Sequence, residues 1–268
     1  MNLESLNPSS KWEEEQMADG EKWFHTTITE VPENSLVPKH STLLVTAEGK
    51  KLFAHNDRLL KKLLVYKRSS NKRKAAAHIR KYLGGEGNGS VYAVGRTGVA
   101  IKEAGTQQSV HWALERMDGL YRAIENGKRN KLIPEWIGLP KHYGYLIPPI
   151  SAEDQRQYML MQQIDGGVTI EDIRSLSSGT SEDRERIQNR LGTPLTQTEI
   201  QGIEEQWKKL EGFLNTAIVQ ANTSKGVDEQ RTFKQMVPDF HEGNVLIERV
   251  KFPKRNGDEP FKLWAIDQ

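Results

Sequence analysis

The sequence predicts an α+β fold, with an antiparallel sheet first and helices after it. Three observations carry this. Short runs of strand-forming residues recur between 82 and 164 and are punctuated by glycine-rich turns. One helical stretch, 107–126, interrupts them with Val110, Ala113, Leu114, Met117, Leu120, Tyr121 and Ile124 at helical spacing. Beyond residue 165 helical periods dominate until a final strand pair between 245 and 266. The order strands, helix, strands, helices, hairpin belongs to the α+β class.

Composition sets the bounds. A chain of 268 residues is ample for a packed core, as one large domain or two small ones. Hydrophobic residues at 36% and charged ones at 28% read as a soluble globular protein. The absence of cysteine excludes disulfides and Cys-zinc sites, and fits a reducing, cytoplasmic compartment. No apolar run approaches the roughly 20 residues of a membrane span, and the polar start lacks a secretory core. A net charge of +2 is nearly balanced and selects no partner.

Residues 1–75 read as an N-terminal extension leading into the main domain. Its first 40 or so residues are polar with few apolar repeats and are expected to be partly disordered. Around Glu48-Gly49-Lys50, residues 41–54 alternate as in a small hairpin. Residues 56–82 read as a basic helix with Leu59, Leu60, Leu63 and Leu64 as its apolar stripe. From Arg58 to Lys81 the chain carries Lys61, Lys62, Lys67, Arg68, Lys72, Arg73, Lys74 and Arg80 with no Asp or Glu between. Such a run suits nucleic acid, anionic lipid, an acidic protein surface, or simply a solvated linker. Only Tyr66 and Tyr82 interrupt it with aromatic rings, which argues against nucleic acid.

The main domain, 76–268, divides into a sheet-rich part at about 82–165 and a helical part at about 166–268. Strands are expected at 90–94 and 99–103 around Gly95-Arg96-Thr97-Gly98, at 142–147, and at 158–164. Thr169 reads as the N-cap of a short helix. Thr196-Gln197-Thr198-Glu199 is a capping box opening the best helix, with Ile200, Ile203, Trp207, Leu210, Leu214, Ala217 and Ile218 along one stripe. A strand pair, 245–250 and 261–266, closes the chain.

Three fragments carry chemistry. Gly85-Glu86-Gly87-Asn88-Gly89-Ser90-Val91 offers backbone N–H groups that can approach phosphates closely, since glycine removes the Cβ barrier. In Val99-Ala100-Ile101-Lys102 a strand presents one ammonium in a cleft. A carboxylate must fix that cation; Glu115 in the following helix is the first choice and Glu125 the second. Asp239 and Asn244, five residues apart in an irregular segment, can direct a carboxylate toward an accepting hydroxyl and an amide oxygen toward Mg²⁺. Asp267, after the apolar run 263–266, would be the second metal ligand. Taken singly, each fragment also reads as an ordinary turn, edge lysine or solvated acid.

In order, these fragments resemble a protein-kinase-like fold over residues of about 82–268. The resemblance implies an antiparallel N-lobe sheet with one helix plus an abbreviated helical C-lobe, ATP and Mg²⁺ as cofactors, and phosphoryl transfer. It makes Gly85, Gly87, Asn88, Gly89, Ser90, Val91 and Lys102 the phosphate contacts, with Ala100 beside the base. It makes Tyr158 to Gly167 the adenine strand and hinge, with Met161 as gatekeeper and the Gln162 carbonyl and Ile164 N–H as adenine contacts. Lys102, Glu115 and Asp239 become the catalytic set; Asn244 and Asp267 hold the metal. Asp239-Phe240-His241 is similar to the catalytic loops of aminoglycoside and choline-type kinases. The glycine loop is one residue short of G-x-G-x-x-G, and Val237-Pro238 stands where His-Arg is usual.

No activation segment follows Asp267 in the sequence, which resembles the minimal kinases that bacterial pathogens deliver into host cells. The expectation is therefore a Ser/Thr protein kinase whose protein substrate, acidic in character, docks on residues 58–81. Two alternatives stand beside it: a small-molecule hydroxyl kinase of the aminoglycoside phosphotransferase type, and a nucleotide-binding pseudokinase acting as an interaction module.

Overall fold

Strands begin well upstream of residue 82. The structure, a computed structural model, describes residues 12–16, 22–31, 35, 37–55, 57–64, 82–84, 91–95, 97–104, 110–152, 157–164, 168–176, 179–224, 241–250 and 260–265. Where disorder was expected, β1 (Glu13–Gln16) and β2 (Lys22–Ile28) form an antiparallel pair. The Trp, Phe, Thr and Ile residues of β2 suit a pleated surface, and Trp23 and Ile28 are buried there.

The small hairpin expected at 41–54 is also corrected. It is instead β3 (Ser41–Thr46) running into α1 (Ala47–His55). Thr46 Oγ1 accepts the Gly49 N–H at 3.0 Å, so a capped helix start takes over the triplet that reads as a turn. Gly49 also lies against β8 (His142–Ile147), where a Cβ would come within 2.0 Å of the Tyr143 carbonyl oxygen. The expected basic helix begins as α2 (Asp57–Leu64), with Leu59, Leu60, Leu63 and Leu64 all buried. Residues 65–81 lie outside the described residues.

Two compact units are present. The first comprises Met1–Glu115 and Lys141–Gln163. Its sheet adds β4 (Tyr82–Gly84), β5 (Val91–Ala93), β6 (Val99–Ala104) and β9 (Gln157–Gln162). The order is β1-β2-β3-β8-β9-β6-β5-β4, antiparallel throughout, so the N-terminal strands extend the sheet expected from residue 82 onward. One face, carrying Leu43, Val45, Ile101, Leu146, Tyr158 and Leu160, shares an apolar core with Phe53 of α1 and the four leucines of α2. The opposite face carries Lys102.

The second unit comprises Arg116–Pro140 and Ile164–Gln268. The helix expected at 107–126 is α3 (Val110–Arg129), and its later part falls here. A four-stranded sheet runs β10 (Val168–Thr169), β11 (Val245–Arg249), β12 (Phe261–Ala265), β7 (Ile137–Gly138). The closing hairpin pairs as expected, from Val245↔Ala265 to Arg249↔Phe261, and gains a parallel neighbour in β7. Helices α4 (Ile170–Ser175), α5 (Ser181–Leu191) and α6 (Gln197–Ser224) pack Ile170, Ile173, Ile187, Ile203, Leu210 and Leu214 into its core. Among the described residues no helix is long and apolar enough to cross a membrane.

Candidate functional site

Strand register assembles the first group of residues. Antiparallel partners point to the same face of a sheet, so each registered row is a row of neighbours. Lys102 stands opposite Val91 on one side and Met159 on the other. Val91 directly follows Ser90, so the ammonium strand lies beside the strand that leaves the glycine-rich segment. The next row on the same face is Ala93, Ala100, Met161 and His142. Ala93 and Ala100 carry only methyl groups, and this alanine strip between Lys102 and Met161 is buried.

His142 reaches that face through a bulge in β8. Its register passes from His142↔Met161 to Gly144↔Leu160 and Tyr145↔Met159, with one residue of β8 unmatched. The extra residue re-aims the strand, so His142 and Tyr145 share the lysine face although three apart. Gly144 supplies the required backbone, at φ +152°, where an added Cβ would come within 2.2 Å of the Leu44 carbonyl oxygen. His142 is buried, and its Nδ1 has no hydrogen-bond partner. Burial first, and the Lys102 charge second, lower its pKa to about 4, so the imidazole is neutral at physiological pH. Gln157, at the start of β9 on the same face, is fully buried with both ends of its amide unpartnered. Nothing in the sequence pointed to His142 or Gln157, because their burial is created by cross-strand neighbours.

The hinge expectation divides at the unit boundary. Met161 and Gln162 end β9, and Gln162 is fixed by its N–H donating to the Lys141 carbonyl at 2.8 Å and its Oε1 accepting from the Lys141 N–H at 3.3 Å. Ile164 opens the later segment of the second unit and is half-buried. Glu115 lies in the first half of α3, and its side chain is outside the described residues. Glu125, the second choice, bonds Lys128 Nζ at 2.8 Å within its own helix turn. Gly85, Gly87, Asn88, Gly89, Ser90, Asp239 and Asp267 all lie outside the described residues.

Asn244 is described. It is buried and ends a 3-10 turn, Glu242–Asn244, that leads straight into β11. His241 caps this turn, its Nδ1 accepting the Gly243 N–H at 3.1 Å. The turn rests on α4, whose own start is a capping box. Thr169 Oγ1 accepts the Asp172 N–H at 3.0 Å, and the Asp172 carboxylate accepts the Thr169 N–H at 2.9 Å.

The Asn244 carboxamide carries an oxygen of the donor type that Mg²⁺, a hard cation, takes. Among the described residues no group of three or more His, Asp or Glu could hold a metal on its own. No protein-family model matches the chain, and no curated protein matches it.

Proposed function

We propose that the chain is an ATP- and Mg²⁺-dependent phosphotransferase, a kinase that transfers the γ-phosphoryl group to a Ser or Thr hydroxyl of a protein. The observation that carries this reading is the register of Lys102. A lysine on the second strand after a glycine-rich segment, followed by a helix, is the arrangement with which kinases hold the α- and β-phosphates. Here Lys102 is opposite Val91 and one row from the alanine strip.

On this reading the Gly85–Ser90 backbone and Lys102 hold the phosphates, and Glu115 fixes Lys102. The base lies against Ala100 and Met161, with the Gln162 carbonyl and Ile164 N–H on its edge. Asp239 orients the accepting hydroxyl and takes its proton as the oxygen attacks. Asn244 and Asp267 are the protein ligands for Mg²⁺, which when bound neutralises charge on the β- and γ-phosphate oxygens. Neutral His142 adds no second positive charge beside Lys102.

Incubation with Mg-ATP followed by intact-mass and peptide mass spectrometry tests the reading. Phosphate on Ser or Thr of the chain is the expected result. Asp239→Ala should leave nucleotide binding intact while transfer stops, and Asp267→Ala should weaken Mg-ATP binding as well. Nucleotide affinity lost with Asp239→Ala but kept with Asp267→Ala would reverse the two roles. The small-molecule kinase reading draws on Asp239-Phe240-His241, but His241 is engaged in capping its own turn, a task independent of the acceptor.

A further inference from the structure

Arg174 on α4 joins three elements of the second unit. Its Nε and Nη2 donate to the two carboxylate oxygens of Glu204 on α6, each at 2.8 Å. This is a two-pronged contact that fixes the plane of the guanidinium. The remaining Nη1 donates to Glu242, in the 3-10 turn that ends at Asn244. Hydrogen bonding from Arg174 holds the Glu204 carboxylate below its usual range, and the same contact raises Arg174.

A second, independent contact brings the turn onto the same helix. A Cβ on Gly243 would meet Glu171 Oε2 at 3.0 Å and the His241 ring at 2.8 Å, so glycine is what allows this approach. α4 is in turn secured at its start by the Thr169–Asp172 box. The turn is thus gripped from α4 at two adjacent residues, Glu242 and Gly243, and Asn244 comes next.

We propose that Arg174 is the positioning residue for the metal-binding amide, holding Glu242 against α4 and α6 so that Asn244 is presented in one orientation. This rests on the phosphotransferase reading. Groups that orient a metal ligand without touching the metal are worth about 10–100-fold in metal affinity. Arg174 would act through Glu242 and not touch nucleotide or metal. A lysine at 174 can supply one charged contact but not the two-pronged grip on Glu204, so Arg174→Lys restores only part of the effect.

The test titrates Mg²⁺ against a fluorescent ATP analogue and follows hydrogen exchange of residues 241–250 in the full chain. Arg174→Ala should raise the Mg²⁺ concentration for half-maximal tight binding by about tenfold. It should speed exchange at Gly243 and Asn244 and leave metal-free nucleotide affinity within about twofold. Arg186→Ala removes the neighbouring ion pair with Asp172 without touching the turn and should match wild type in the Mg²⁺ titration. Should Arg174→Ala fail to fold, Glu242→Ala cuts the same contact from the other side and carries the same expectation. An unchanged Mg²⁺ midpoint in a folded variant overturns the proposal. So does an equal loss of metal-free and metal-dependent binding, which would mark Arg174 as purely structural. A wild-type chain with no Mg²⁺-dependent nucleotide binding overturns the phosphotransferase reading itself, and this inference with it.

Discussion

Acid should destabilise this protein through His142, and the size of the effect follows from where the side chain sits. The group titrates at about 4 in the fold and near 6.5 when the chain is unfolded, because burial, and then Lys102, disfavour the imidazolium. Between those values the unfolded chain binds the extra proton and the folded one does not. The stabilising contribution is therefore complete above 6.5 and is lost as pH falls toward 4. Each unit of difference is worth about 1.4 kcal/mol, so lowering the pH from about 7.5 to 5 should remove about 2 kcal/mol through this residue, and about 3 kcal/mol below pH 4. Urea unfolding at about pH 7.5, 6 and 5, for the natural chain and for His142→Gln, isolates this term from the other histidines. The variant should show a shallower loss by about 2 kcal/mol over the same range. Lys102→Met should raise the imidazole titration seen by NMR, but not as far as 6.5, since burial is the larger cause. Equal acid sensitivity of the two proteins would refute the burial of a neutral His142 beside Lys102.

Two further outcomes bear on the N-terminal segment. Leu63→Ala should destabilise the chain by about 2–5 kcal/mol in thermal or urea unfolding, because Leu63 is buried between α2 and the sheet; a change under about 0.5 kcal/mol would detach α2 from the core. Reversing Lys67, Arg68, Arg73 and Lys74 to Glu should cut phosphorylation of an acidic protein partner and its salt sensitivity while sparing autophosphorylation, and equal loss of both activities would end the docking idea. Lys62 is left in place because its ammonium lies against the Gly95 turn.

Local chemistry was legible in the sequence where a few adjacent residues decide the structure. The Thr196–Glu199 box forms as read, with Thr196 Oγ1 accepting from Glu199 N–H at 3.2 Å and the carboxylate returning to Thr196 N–H at 2.8 Å. Thr169 caps its helix, and the strand expected at 142–147 is β8. The two-residue strands β7 and β10 were not legible, because they exist only through partners far away in the sequence, such as Val168↔Ile247 and Leu263↔Ile137. Helix α5 was missed because its residues are almost all charged or polar, with only Ile187 and Leu191 turned into the core. The lysine strand β6 and its neighbour β5 were legible as strands and in order; their row-by-row register was not. The Arg174 grip left no signal at all, since Glu204 and Glu242 are 30 and 68 residues distant from it.

The two faces of the eight-stranded sheet are built to different rules. One is filled by leucine, valine, isoleucine and tyrosine and closed by α1 and α2, as a face needs to be when stability is its only task. The other buries His142 and Gln157 with unpartnered polar atoms beside Lys102. Each such group costs about 1–3 kcal/mol of desolvation that a valine or leucine at the same position would avoid. Since the first face proves that this sequence can fill a sheet surface with apolar side chains, the polarity of the second is not forced by folding. Departures of this kind from local rules gather where a fold has a task besides stability. Here they fall on the rows on either side of Lys102, that of Ala100, Met161 and His142 and that of Ala104 and Gln157. A charged, planar ligand on that strip would find an ammonium at one end, methyl groups beneath it, and neutral polar atoms nearby. Removing the polar groups should then have opposite effects on the two properties: Gln157→Leu should stabilise the fold in urea and lower affinity for ATP. A variant more stable and equally good at binding nucleotide would separate this face from the proposed site.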